Sequence, residues 1–292
     1  MKVVSLPDVE PGSKPRRVAI GTFDGVHLGH REVIRGADTV LTFDPHPLAV
    51  IHPDATPKLI SRFPVKRDLI AGLGVDELVV IPFDKGFASQ TPEEFVKDIL
   101  IDRLGAEQVS VGENFRFGKG AMGTPEFLAS HHQFETRVVS LVEAEGETIS
   151  SSHVRGLVAA GEVDRAAAFL GGPFLFEGEV VHGDKRGREL GMPTANIVPD
   201  EAYVVPGHGV YAATAGGYPA AVNVGVRPTF KTGRGLLVEA HLIGFDEEIY
   251  GETLRIAFTE RLRGEQRFDS VDELVAQMNR DVDEAKRISE RG

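Results

Sequence analysis

The chain has 292 residues, 41% of them hydrophobic, enough core for one large domain or, more naturally, two ordinary ones. Its 44 acidic residues against 32 basic ones give a formal charge of −12, which argues against a nucleic-acid or anionic-membrane surface and for small-molecule ligands. There is no cysteine, so disulfides and thiolate metal sites are excluded.

Residues 1–17 contain three prolines and no apolar leader core. No run approaches the roughly 20 apolar residues that a membrane helix needs, so a cytoplasmic protein is expected. The first strong signal is Gly21-Thr22-Phe23-Asp24-Gly25-Val26-His27-Leu28-Gly29-His30, directly after the apolar run Val18-Ala19-Ile20. A strand that breaks at Gly21 and re-forms as a helix near Leu28 aims unpaired N–H groups at one point, where anions bind. Gly25 and Gly29 allow close backbone approach, and His27 and His30 can donate hydrogen bonds to phosphoryl oxygens as charge moves. The HxGH pattern resembles the signature of the nucleotidylyltransferase superfamily, which joins a nucleotide to a phosphate or carboxylate and releases pyrophosphate.

From Val18 to about Leu170 the strand candidates are 18–20, 39–43, 77–81, 108–111 and 137–142, separated by helical patterns. That order predicts a parallel sheet covered by helices. Thr42-Phe43-Asp44-Pro45-His46-Pro47 ends the second of these strands in a stiff loop, which puts His46 at the carboxyl edge of the sheet, where such folds bind ligands. Thr91-Pro92-Glu93-Glu94 is a capping box with Pro at the first helical position, and Phe95, Val96, Ile99 and Leu100 follow at helical spacing. Thr124-Pro125-Glu126 is a second, similar start. Between them, Gly112-Glu113-Asn114-Phe115-Arg116-Phe117-Gly118-Lys119 offers an amide, two aromatics and two cations to a planar, phosphorylated ligand. It is not a Walker A loop, because Gly120 stands where Ser or Thr is required. Ile149-Ser150-Ser151-Ser152-His153-Val154-Arg155 sets hydroxyls at a helix N-terminus and an arginine one turn in, which suits a triphosphate.

After Leu170-Gly171-Gly172-Pro173 the texture changes to closely spaced strand candidates at 174–181, 210–214, 220–224, 236–243 and 254–258, which reads as an antiparallel barrel. In the segment from Gly187 to Asn196, Thr194 and Asn196 lie two apart, so on an extended strand they face one way and can share a metal–nucleotide complex. The segments 206–212 and 223–230 read as barrel architecture. Glu239 interrupts an apolar strand: it either lies on the solvent face by simple alternation or points into a cleft as a general base. Ser270-Val271-Asp272-Glu273 is another capping box, followed by Val271, Leu274, Val275, Met278, Val282 and Ala285 on one face of a helix that packs on the barrel.

Together these segments resemble the bifunctional bacterial riboflavin kinase/FMN adenylyltransferase family, the FAD synthetases, over nearly the whole chain. The ordered set that carries the likeness is GTFDGVHLGH, TFDPHP, GENFRFG and ISSSHVR, then GRELGMPTANI, GVYA, NVGVRPTF, VEAHL, the Tyr250-Gly251-Glu252 stretch, and Arg261-Leu262-Arg263 with Phe268. The resemblance implies an α/β Rossmann-like domain at 1–171 and an antiparallel Greek-key-type β-barrel with a C-terminal helix at 172–292. The rear domain would phosphorylate riboflavin to FMN with ATP, Glu239 taking the ribityl hydroxyl proton and Thr194 and Asn196 holding Mg²⁺ and the ATP phosphates. The front domain would join FMN to the adenylyl part of ATP, giving FAD and pyrophosphate. There His27 and His30 orient phosphates, and no base is required because the FMN phosphate already carries about −1.5 to −2 charges at pH 7. The implied ATP and phosphate contacts are Gly21, Phe23, Asp24, Gly25, Ser151, Ser152, Arg155, Gly187, Thr194 and Asn196. The implied flavin contacts are His46, Asn114, Phe115, Arg116 and Arg263. A monomer or weak homo-oligomer acting on small molecules alone is expected.

The family commonly has Asp where Asn114 stands and Thr where Ser152 stands, and both changes keep hydrogen-bonding capacity. Only 12 residues separate His30 from Phe43, fewer than the family usually places there, so the crossover helix can hardly exceed two or three turns. A reduced wall beside the nucleotide site follows, with adenylyl transfer as the activity it weakens. Two alternatives stay open at this stage: a riboflavin kinase whose front domain is inactive or weak, and a flavin-binding module without turnover.

Overall fold

The computed structural model describes residues 1–12, 14–183, 191–229 and 233–291. Two compact units emerge: the first comprises Met1–Pro57 and Phe63–Ser150, the second Lys58–Arg62 and Ser151–Gly292.

The first unit is built on a six-stranded parallel sheet in the order β1-β4-β3-β2-β5-β6, formed by Lys2–Ser5 (β1), Arg16–Ile20 (β2), Thr39–Asp44 (β3), Glu77–Pro82 (β4), Ala106–Gly112 (β5) and Glu135–Val139 (β6). Alternate residues of each central strand feed two separate cores. Val18, Ile20, Leu41, Phe43, Val79 and Ile81 pack on one side with Phe95, Val96, Ile99 and Leu100. Ala19, Val40 and Leu78 pack on the other with Val33, Ile34 and Ile70, which come from the helices Leu28–Ile34 and Phe63–Ala71. Both faces are therefore dry, as the near-continuous apolar strands require. The crossover helix Leu28–Ile34 has seven residues, about two turns, in line with the short segment after His30.

Several local features depart from the sequence reading. The edge strand β1 is an addition: four residues that begin with Lys2 and are half-exposed carry no periodic signal, and only parallel pairing with β4 defines them. β6 ends at Val139 rather than 142 because its partner β5 ends at Gly112; the last link is the Glu113 N–H to the Val139 carbonyl, 2.9 Å. Between β6 and the second unit, a hairpin of Glu143–Ala144 (β7) and Glu147–Thr148 (β8) turns through Glu145 and Gly146, both at positive φ, the conformation of a two-residue hairpin turn. The capping box at Thr91 forms in both directions: Thr91 N–H donates to Glu94 Oε2 at 2.8 Å and Glu94 N–H donates to Thr91 Oγ1 at 3.2 Å. Past Pro92–Glu94 the helix then widens to π form over Phe95–Arg103, with the Leu104 N–H reaching the Ile99 carbonyl five residues back. Spacing of apolar residues cannot distinguish this from an α-helix.

The second unit contains a closed antiparallel barrel, β10-β13-β12-β11-β14-β9, made by Phe174–Val181 (β9), Ala195–Ile197 (β10), Gly209–Ala215 (β11), Tyr218–Thr229 (β12), Gly233–Leu242 (β13) and Thr253–Arg263 (β14). Its interior is filled by side chains such as Phe174, Phe176, Tyr211, Val222, Val238, Ile256 and Phe258, all nearly inaccessible to solvent. Phe258 meets Tyr211 edge-on at 5.3 Å and Phe176 edge-on at 6.5 Å, the favoured geometry for aromatic pairs. The helix Val271–Ser289 lies on the barrel's outer surface, where Ala285 and Ile288 pack with Ala212. Ser270 caps it by accepting from Glu273 N–H at 3.2 Å, but the return arm of the box goes one residue further, from Asp269 N–H to Glu273 Oε2. Of the apolar face read from the sequence, Val271 is exposed, because the helix begins beyond the rim of the barrel contact, whereas Ala285 is fully buried.

Candidate active sites

In the first unit the chain leaves β2 at Gly21 and immediately enters a strained turn. Phe23 and Val26 adopt positive φ of 50° and 45°, while Gly25 sits at 84°. A β-branched residue in that region is a true outlier, and such strain persists only where the surroundings over-determine it. Here both side chains are almost completely buried in the apolar cluster beneath the sheet face. A Cβ at Gly21 would meet the Phe23 ring at 3.0 Å, so this position admits only glycine without rearrangement.

The turn delivers His27 as the N-cap of the Leu28–Ile34 helix, its Nδ1 accepting from the His30 N–H at 3.2 Å. The His27 and His30 rings stack with centroids 3.5 Å apart and planes 14° from parallel, and Phe23 meets His30 edge-on at 5.4 Å. His30 is pushed well below the ordinary imidazole range, first by burial, then by His27 and by Lys66. It is therefore a neutral ring at physiological pH, and its buried Nδ1 has no hydrogen-bond partner in the protein. Unpaired polar atoms held out of water are costly, which makes this one a candidate contact for a ligand.

Lys66, which no sequence motif singled out, is also here. From the Phe63–Ala71 helix its ammonium donates to the Thr22 carbonyl at 3.2 Å, and that carbonyl also accepts from Thr42 Oγ1 at 3.2 Å. Asp24 is buried in the same turn.

His46 caps the short helix Pro47–Ile51 through Nδ1, which accepts from Leu48 N–H at 3.2 Å. In the GENFRFG segment Asn114 and Arg116 are exposed, and Arg116 donates to the Phe115 carbonyl at 2.7 Å. The half-buried Phe115 ring stacks on the buried Phe117 ring, centroids 5.6 Å apart, just past the end of β5. Ser151 opens the helix Ser151–Ala160, with Arg155 donating to Ser152 Oγ at 3.3 Å; these three residues fall in the second compact unit.

The barrel site is set by strand register. Asn196 on β10 is directly opposite Glu239 on β13, which in turn is opposite Asn223 on β12. Val238 and Ala240 face the barrel interior, so alternation turns Glu239 to the outer surface, where it is only half-buried. Of the two sequence options, the carboxylate obeys alternation, and Asn223 Nδ2 donates to Glu239 Oε2 at 3.3 Å. Asn196 is 5% exposed; its Nδ2 donates to the Thr194 carbonyl at 3.0 Å and its Oδ1 is buried without a partner. An orphan amide oxygen on the strand position opposite Glu239 is a hard oxygen donor, the type that fits Mg²⁺. Asn223 was read from the sequence as architecture and is the missed member of this cluster.

Gly187 lies outside the described residues. Arg263, expected at the flavin, ends β14 and pairs with the C-terminal helix: Nη2 and Nε donate to the Asp281 carboxylate at 2.8 and 3.1 Å, and its guanidinium lies 5.8 Å from the Phe268 ring centre.

Comparison with known proteins covers both halves of the chain. A family model for FAD synthetase matches residues 10–153 and one for riboflavin kinase matches residues 170–289. The bifunctional riboflavin kinase/FMN adenylyltransferase of Bacillus subtilis (strain 168) is 37% identical over 290 residues, 92% of this chain and 91% of the relative. The chain belongs to the bifunctional riboflavin kinase/FMN adenylyltransferase family. The Escherichia coli (strain K12) member is likewise 37% identical, over 90% of each chain. A solved Streptococcus pneumoniae chain, described as a macrolide-efflux protein, shares 32% identity and a TM-score of 0.86 over 98% of this chain and 99% of its own. Among the described residues no helix is long and apolar enough to cross a membrane. The two family-model matches fall in the chain order expected for this family, adenylyltransferase first and kinase second.

Proposed function

We propose that the barrel half phosphorylates riboflavin to FMN and the parallel-sheet half adenylylates FMN to FAD, with the functional division at residues 171 and 172. The alignment of Asn196, Glu239 and Asn223 at one level of three neighbouring strands carries the kinase reading. A ribityl hydroxyl is a poor nucleophile until a base accepts its proton, and Glu239 is the carboxylate available at that level. Asn223 orients it by donating to Oε2 at 3.3 Å. Thr194 and Asn196 would hold Mg²⁺, whose bound charge would neutralise the transferring phosphate. The residues then act by position: Glu239 takes the proton, and Asn196, fixed by its bond to the Thr194 carbonyl, aligns the nucleotide phosphates against the hydroxyl.

For adenylyl transfer, the FMN phosphate attacks the α-phosphorus of ATP, the bond to the bridging oxygen breaks, and pyrophosphate leaves. No proton has to be removed. His27 and His30 orient the phosphates and hydrogen-bond to the oxygens on which charge builds, at the strained turn bearing Gly21, Phe23, Asp24 and Gly25. For Ser151, Ser152 and Arg155 the proposal rests on chemistry, hydroxyls and a guanidinium being natural triphosphate ligands. The flavin reading of His46, Asn114, Phe115 and Arg116 is supported by the stacked Phe115 and Phe117 rings. Arg263 contributes by holding Phe268, since its own donors are engaged by Asp281 and the Gly264 carbonyl.

The Glu239→Gln variant tests this division. It is expected to lose FMN production from riboflavin by about 10²–10⁴-fold while still converting supplied FMN to FAD. Retention of riboflavin phosphorylation would remove Glu239 from the mechanism.

A further inference from the structure

Lys66 is the only buried lysine among the described residues, and nothing in the reaction as derived above uses it. An ammonium is expensive to take out of water, and burial accordingly depresses Lys66 below the ordinary lysine range, opposed by the carboxylates of Asp24 and Asp44. Its neighbours Val65 and Ile70 on the same helix are ordinary core residues, so an apolar side chain would have satisfied this face. What the lysine adds is a bond to the Thr22 carbonyl at 3.2 Å and a positive charge on the side of the turn where Asp24, Asp44, His27 and His30 converge. The Phe63 ring, 5.8 Å from Nζ, closes one flank of that charge.

We propose that Lys66 is a positioning residue for adenylyl transfer: through the Thr22 carbonyl its ammonium fixes the strained Gly21 to His27 turn, and with it the stacked His27 and His30 rings, in the arrangement that meets the nucleotide. The turn needs such an anchor. Phe23 and Val26 sit at unfavourable positive φ. The Thr42 hydroxyl that shares the Thr22 carbonyl is only a neutral donor, so loss of the charged bond from Lys66 loosens the hold on Thr22 and lets the turn carry His27 with it. The fixed charge has a second effect, because it adds to burial in keeping His30 uncharged. A neutral His30 leaves its unpartnered Nδ1 free to take either hydrogen-bonding role toward phosphate, whereas a protonated ring would repel Lys66. The proposal rests on the parallel-sheet half being the adenylyltransferase.

The test uses the full chain, with riboflavin phosphorylation by the barrel half as the control for folding. In Lys66→Met, kcat for FMN adenylylation should fall about 10- to 100-fold, the loss typical of misplaced reacting groups, while KM for ATP and FMN moves less than about threefold. Kinase activity should stay within about twofold, since no group of the barrel site is altered. The His30 imidazole, assigned in NMR spectra by comparison with His30→Gln, should titrate at higher pH once the neighbouring charge is gone. Lys66→Arg should recover part of the rate and restore the low His30 titration. Lys66→Gln, which keeps a neutral donor, serves if the methionine variant does not fold, and should show the same raised His30 titration with reduced adenylylation. Adenylylation within threefold of wild type in the Met or Gln variant, or an unmoved His30 titration, would overturn the proposal. Absence of adenylylation in the wild-type protein would instead defeat the underlying reading.

Discussion

Asn223 Nδ2 donates to Glu239 Oε2 across the β12–β13 ladder at 3.3 Å, and the same register continues to Asn196 on β10. Three polar side chains thus share one level of three neighbouring strands, the arrangement on which the kinase proposal rests.

Asn223→Leu should therefore lower kcat for riboflavin phosphorylation with little change in KM, because it removes a hydrogen bond that orients the Glu239 carboxylate. A hydrogen bond to a charged group is worth about 1.5–3 kcal/mol, or roughly 10- to 150-fold in rate. Steady-state kinetics with riboflavin as the varied substrate gives the answer, and an unchanged kcat would show that Glu239 needs no such partner.

Asn196→Ala removes the buried orphan oxygen. The Mg²⁺ concentration that gives half-maximal kinase activity should rise about 10- to 100-fold, while adenylylation of supplied FMN keeps its own Mg²⁺ dependence. A metal titration of both activities on one sample checks this, and equal shifts in the two would contradict the assignment.

His30 predicts a pH-dependent stability. Its folded-state pKa lies below the ordinary 6.5, so the folded chain binds this proton less readily than the unfolded one. The contribution is complete above about pH 6.5 and declines as the pH falls toward the folded value, by at most about 1.4 kcal/mol per unit for one group. Hydrogen exchange at the β2 and β3 amides, corrected for intrinsic rates, should show weaker protection at pH 5.5 than at pH 7, and His30→Gln should flatten that difference. An identical slope in the variant would locate the effect elsewhere.

Arg263 and Asp281 join the last barrel strand to the C-terminal helix, with the Asp281 side chain only 8% exposed. Asp281→Ala should destabilise the barrel by about 3 kcal/mol, since it strands a partly buried guanidinium. The variant should lose far-UV signal and kinase activity at a lower denaturant concentration than wild type. A midpoint unchanged within error would reduce this pair to a surface contact.

The parts of both sites that were legible in the sequence are those whose chemistry is local. Gly21 to His30 announces a strand, a turn and a helix cap in ten consecutive residues, and the stacked histidines follow from their spacing on that cap. For Thr194 and Asn196, read as facing one way on an extended strand, the periodicity covers only Asn196, since β10 runs Ala195–Ile197 and Thr194 precedes it. Asn223 and Lys66 were not legible, since each matters only through a partner far along the chain: sixteen residues away for Asn223 and Glu239, forty-four for Lys66 and Thr22. β1 escaped for the same reason, its only support being its pairing with β4. The π-form stretch at Phe95–Arg103 shows the converse, where a correct helix signal carried no information about its winding.

The most direct test of two successive activities in one chain is a product time course from riboflavin, ATP and Mg²⁺, resolved by chromatography. FMN should appear first and FAD should follow at its expense. FMN that is never converted to FAD, or a mixture in which neither flavin nucleotide forms, would contradict the account.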